Sequence, residues 1–194
     1  NKTDEKRSPA FVALNINQNQ HRSTNRSNRW RIDPRVGYEN QLDNDYYRRN
    51  PWDRGHMARR TTAAWGSTTS EAQRASNETF YYTNSCLQHA NLNQDEWLAL
   101  EDWVYDLKLD KDGRITSFTG PFYADFDRTI KPSGRPLALI PAGFFKIVCF
   151  KNKDTSKLDV RAFVMYQDEK ALEDKHGHKR YNNQTYQTTI SLIE

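Results

Sequence analysis

The stretch Asp53-Arg54-Gly55-His56-Met57 holds the residues best suited to chemistry. Histidine accepts a proton most readily near neutral pH. Arginine presents a planar fork that matches phosphate oxygens. With one glycine between them, the pair is expected in a tight backbone turn that sets a base beside a cation. The same residues also read as a surface turn whose histidine is merely hydrogen-bonded. A second stretch runs from Thr83 to Glu101. Asn93 and Glu101 stand eight residues apart. On an α-helix, at ~100° per residue, they lie about 80° apart and border one cleft. An amide oxygen and a carboxylate are hard donors that suit Mg²⁺, or Mn²⁺ or another divalent cation, with water completing the shell. The ordinary alternative makes Asn91 or Asn93 a helix cap and Glu101 an exposed charge.

Other candidates are weaker. Arg22, Arg26, Arg29 and Arg31 form a cationic run that suits a phosphate track, as do Lys175, Lys179 and Arg180 unless these are solvated loop charges. His176 and His178 lack a third zinc ligand nearby. Trp52 and Trp65 read as core residues before they read as base-stacking platforms.

These groups must be held by elements. Phe11 to Ile16 reads as a strand, Ser70 to Asn77 as a short helix and Thr79 to Thr83 as a strand. Asn91 to Leu107 is the strongest helix, with Trp97, Leu100, Val104 and Leu107 at helical spacing. Strands follow at 115–119, 137–140, 144–150 and 158–166, and Gln187 to Glu194 starts a last helix. The order implies one α+β domain over 11–194 with a largely antiparallel sheet, after a frayed polar lead-in over 1–10.

Composition narrows the class. The 194 residues include 12% aromatics, too many for a disordered chain, and no apolar run long enough to span a membrane as a helix. The net charge of +4 mildly favours an anionic partner. Cys86 and Cys149 make no disulfide framework, and a bridge between them is a minor alternative to free thiols. The chain begins at Asn1, which is read as the trace of an upstream segment already removed. Four Asn-X-Ser/Thr sequons lean towards a secretory route.

Taken together, DRGHM at 53–57, NSCLQHANLNQDEW at 84–97 and LE at 100–101 resemble the DNA/RNA non-specific endonuclease family, the ββα-metal nucleases. Phe118-Thr119-Gly120-Pro121 and the run from Ile140 to Lys146 are similar to two of its strand segments. The resemblance implies an α+β, ββα-metal nuclease fold that hydrolyses phosphodiester bonds of DNA and RNA to 5′-phosphate ends with little sequence preference. It implies that His56 is the general base and that Asn93 binds one Mg²⁺. Glu101 would hold metal-bound water, Arg54 and Arg29 (or Arg26) would contact phosphate, and Asn84 would support the site. Activity should then rise with pH through about 6.5, where a free histidine loses its proton. DNA and RNA are the implied partners; a homodimer and a protein inhibitor are admitted, and a membrane is not. Secretion or a periplasmic location is expected, with an organelle as the alternative. A catalytically weak nucleic-acid-binding module and an inhibitor-paired toxin or effector are the competing readings. Three departures stand out: Leu87 replaces the family's proline and is expected to loosen a turn, Tyr105 replaces a frequent arginine, and the C-terminal part is short.

Overall fold

The computed structural model describes residues 5–107, 109, 111–124, 128–167 and 187–193. In chain order the elements are β1 (Val12–Asn17), β2 (Trp52–His56), α1 (Arg60–Ala63), α2 (Thr69–Glu78), β3 (Ser85–His89) and α3 (Trp97–Tyr105). Then come β4 (Arg114–Phe122), β5 (Thr129–Ile130), β6 (Ala138–Leu139), β7 (Gly143–Lys151), β8 (Leu158–Tyr166) and β9 (Gln187–Thr188). A five-stranded antiparallel sheet has the order β1-β4-β7-β8-β9. β2 and β3 form a separate two-stranded sheet, and β5 pairs with β6. No helix among the described residues is long and apolar enough to cross a membrane.

Alternation builds the large sheet. On β7, Phe144, Lys146, Val148 and Phe150 point to the buried side, while Phe145, Ile147 and Cys149 are less buried. α3 answers with a face of Trp97, Leu100, Glu101 and Val104. Trp97 and Leu100 pack with Met57, Cys86, Phe144, Phe163 and Met165 in one cluster, so β2, β3 and α3 are clamped to the sheet by apolar burial. Leu100 is 0% exposed, and a fully buried leucine contributes roughly 1.5–3 kcal/mol.

Several expectations are corrected. The DRGH residues lie on β2, not in a turn. The long helix over Asn91 to Leu107 is a π-helical turn at Leu92–Glu96 followed by α3. Thr79 to Thr83 is not a strand: Tyr81 makes one isolated bridge to Arg31, and Tyr82–Asn84 is a 3-10 turn leading into β3. Phe80 and Tyr82 pack on Trp30, Tyr82 also stacks on Tyr47, and Tyr81 lies under the Arg31 guanidinium, rather than all three lying along a ladder. Gln187 onwards is a two-residue strand and a 3-10 turn, not a helix. The lead-in is tied down over its described part, since Leu139 N donates to Glu5 O at 3.0 Å and Arg7 Nε to Leu137 O at 2.9 Å. Both cysteines are free. The HxH pair and Lys175, Lys179 and Arg180 lie outside the described residues.

Candidate active site

The β2–β3 register sets Arg54 opposite Leu87, Gly55 opposite Cys86 and His56 opposite Ser85. Strand alternation then directs Arg54 and His56 to one side. Gly55 between them is required by close approach: a Cβ there would stand 2.6 Å from Gln88 Cβ. Leu87 is buried within this ladder, so the family's missing proline is replaced by a paired strand residue and no turn is loosened.

Asp53, Arg54, Asn93 and Gln94 line a cleft of about 430 Å³, with Arg26, Asn28 and Trp30 as the other wall. Asp53 Oδ2 accepts from Asn93 Nδ2 at 2.9 Å and from Gln94 Nε2 at 2.7 Å. An ionised carboxylate only accepts, so it fixes which way the Asn93 amide faces and leaves the Oδ1 oxygen as the donor for a cation. Asp53 thus positions Asn93 from forty residues away, and its place in the DRGH motif is the only trace of this in the sequence.

His56 is packed against Trp30 at 4.7 Å and Phe80 at 5.1 Å between ring centroids. Its Nε2 is buried without a hydrogen-bond partner. Burial, and then the nearby Arg26 and Arg60 charges, lower its pKa to about 3. The imidazole is therefore neutral across the physiological range and able to accept a proton. Arg54 lies over the Tyr47 ring at 5.3 Å and donates to Asn44 Oδ1, while its Nε is buried and unpartnered.

Of the two early arginines, Arg26 lines the cleft and Arg29 does not. Arg29 is exposed, and its backbone N–H reaches Ser27 Oγ at 3.4 Å. Arg26 is thus the one placed to meet a ligand in the cleft. Asn84 supports the backbone: Nδ2 donates to Ala58 O at 3.0 Å and Thr79 O at 2.9 Å, and Oδ1 accepts from Ala58 N at 2.8 Å. It is a clasp that holds the end of β2 to the start of β3.

Asn93 lines the cleft, and Glu101 stands two helical turns further on, where it lines a small void with Met57, Arg59, Ser117 and Lys146. The π-helical turn takes more residues per turn than the assumed 100° step, which narrows the angle between the two side chains. Glu101 Oε2 lies 3.6 Å from Arg59 Nε, and Oε1 is buried with no partner. Burial raises the Glu101 pKa, opposed by Lys146 and Arg59. The Asn93 amide, oriented by Asp53, fits a hydrated hard cation that takes few protein ligands. Among the described residues no three His, Cys, Asp or Glu side chains converge, so a closed all-protein metal cage is not what this donor set builds.

The sequence pattern of the DNA/RNA non-specific endonucleases matches residues 1–194. The chain belongs to that family. Over 173 residues it is 30% identical to the mitochondrial nuclease 1 of Schizosaccharomyces pombe, covering 82% of this chain and 52% of the relative. Over 143 residues it is 28% identical to human mitochondrial endonuclease G, covering 70% of this chain and 46% of the relative. The chain thus spans about half the length of these two relatives. Its fold matches that of the solved EndoG/EndoGI complex with a TM-score of 0.73 at 20% identity, over 97% of this chain and 76% of the other. An α+β, ββα-metal nuclease fold is the architecture of this family member, with β2, β3 and the π-turn before α3 placed at the cleft. A divalent cation suits a family of metal-dependent nucleases.

Proposed function

We propose that this chain is a Mg²⁺-dependent endonuclease that hydrolyses phosphodiester bonds in both DNA and RNA and leaves 5′-phosphate ends. The observation that carries the reading is the cleft in which Asp53 orients Asn93 opposite Arg26, with Arg54 and the neutral His56 on the adjoining strand. His56 takes a proton from the attacking water. Arg54 offsets the charge that builds on the reacting phosphate, Arg26 grips the strand beside it, and neither reads a base edge, which accounts for low sequence preference. Asn93 Oδ1 would hold the cation, and Glu101 Oε1 would accept a hydrogen bond from water around it. When bound, Mg²⁺ or Mn²⁺ supplies the positive charge that stabilises the leaving oxygen. A base with a pKa near 3 is weak; burial is the main cause, and a phosphodiester anion seated beside the ring offsets the smaller Arg26 and Arg60 contributions and raises it in part.

A plasmid-nicking assay tests this directly. Supercoiled DNA and a structured RNA should both be cut in Mg²⁺ and left intact in EDTA. Binding without nicking in any divalent cation would mark the chain as a nucleic-acid-binding module instead. A protein inhibitor belongs in the same assay, because the structurally similar EndoG was solved in an inhibitory complex. The compartment is a separate proposal: the sequons suggest secretion, whereas two relatives are named as mitochondrial.

A further inference from the structure

Arg59 and Arg60 are adjacent, yet only Arg59 reaches carboxylates. Arg60 opens α1, four residues after His56, and is half-buried. Its Nη1 donates to Thr24 O at 3.3 Å and Thr24 Oγ1 at 3.1 Å. Among the described residues no carboxylate pairs with it, or with Arg26, which stands two residues beyond Thr24. The Thr24 contact therefore folds the Arg26 segment against the start of α1. Arg26 is held over Phe80 at 6.0 Å, and Phe80 packs edge-on to His56 at 5.1 Å. Both guanidinium groups act on His56 from this side. Burial and the neighbouring Arg26 and Arg59 charges disfavour the Arg60 cation. An exposed arginine without a partner is ordinary. A half-buried one that faces a second guanidinium is costly unless an anion arrives from outside.

We propose that Arg60, together with Arg26, forms a binding subsite for the backbone phosphate adjoining the scissile one. The inference rests on the nuclease reading for the presence of a strand in the cleft. Two planar forks suit the non-bridging oxygens of a phosphodiester and are a weaker match for chloride; the same fork meets guanine O6 and N7, so the proposal requires equal binding of oligonucleotides with and without guanine. Arg60 then holds the strand in register while Arg54 serves the reacting phosphate. Its contribution is equal for all sequences and is weakened by salt.

The test compares His56→Ala with His56→Ala/Arg60→Gln by fluorescence anisotropy on a single-stranded and a double-stranded oligonucleotide across a salt series. The second substitution should weaken binding about tenfold at low salt. It should lower the slope of log K against log salt by about one. Arg60→Lys should keep most of the slope, since it keeps the charge. In the cleavage-competent background, Arg60→Gln should lose more kcat/KM on long DNA than on a dinucleotide that has a single phosphodiester. An unchanged salt slope overturns the proposal. So does a Thr24→Ala variant that reproduces the whole loss without touching Arg60, because Arg60 would then be a strut. If the unmodified chain cuts nothing, the nuclease reading fails, while the slope still decides whether Arg60 meets phosphate.

Discussion

Two groups of charge in this molecule differ in how they are matched, and residues 59 and 60 belong to different ones. On the sheet side, Arg59 reaches Asp102 at 2.7 Å and Glu101 at 3.6 Å, and Lys146 donates to Thr119 Oγ1 at 2.7 Å. Lys146 also sits 5.0 Å above the Trp97 ring, and burial lowers its pKa to about 8. On the cleft side, Arg26, Arg54 and Arg60 find amides, hydroxyls and rings but no carboxylate among the described residues. A cation matched by its own chain holds the fold together. A cation matched only by neutral groups keeps its charge available for a ligand.

The contrast predicts effects of different kind and size. His56→Ala should lower kcat/KM on plasmid DNA by roughly 10²–10⁴-fold while binding persists. Activity near that of the unmodified protein would remove the base and, with it, the purpose of the cleft. Asp53→Ala frees the Asn93 amide and should weaken the Mg²⁺ requirement curve by about 10–100-fold. An unshifted metal titration would show that Asp53 orients nothing that matters. Lys146→Met belongs to the other group and should cost about 3 kcal/mol in urea unfolding, because Glu101 is left with a poorer partner set. Stability within a few tenths of a kcal/mol would erase the distinction between the two groups.

The smallest effect comes from pH. The His56 pKa is about 3 in the fold and 6.5 when unfolded, so only the unfolded chain gains a proton between those values. Stability is therefore undiminished above pH 6.5 and falls as pH drops through the window, by about 2 kcal/mol at pH 5 relative to a His56→Ala control. The rising limb of kcat/KM should lie below pH 6.5 for the same reason. A limb centred at 6.5, with equal acid sensitivity of both proteins, would mean that the imidazole is solvated.

The motif residues were legible because they stand within a few positions of each other and their types are tied to the chemistry. His56, Arg54 and Asn93 needed only local spacing, and the strand over 158–166 followed from its alternation. What escaped depends on contacts across the chain. Asp53 meets Asn93 forty residues away, and Arg60 meets Thr24 across thirty-six. No local pattern tells which of two adjacent arginines will face a carboxylate. The aromatic run from Phe80 to Tyr82 mimics a strand by propensity alone, and tertiary packing around Trp30 overrides it. The angle between Asn93 and Glu101 was also illegible, because the sequence reading assumed a helix of constant pitch and the π-helical turn departs from it.

That uneven pitch has its own consequence. The widened turn at Leu92–Glu96 carries Asn93, the residue aimed at the cleft, and leads into the face that grips the sheet. Removing one residue there would restore regular winding and turn Asn93 by roughly 30° relative to Trp97, Leu100 and Val104. A chain that shortens this segment thus keeps its anchorage and alters its aim.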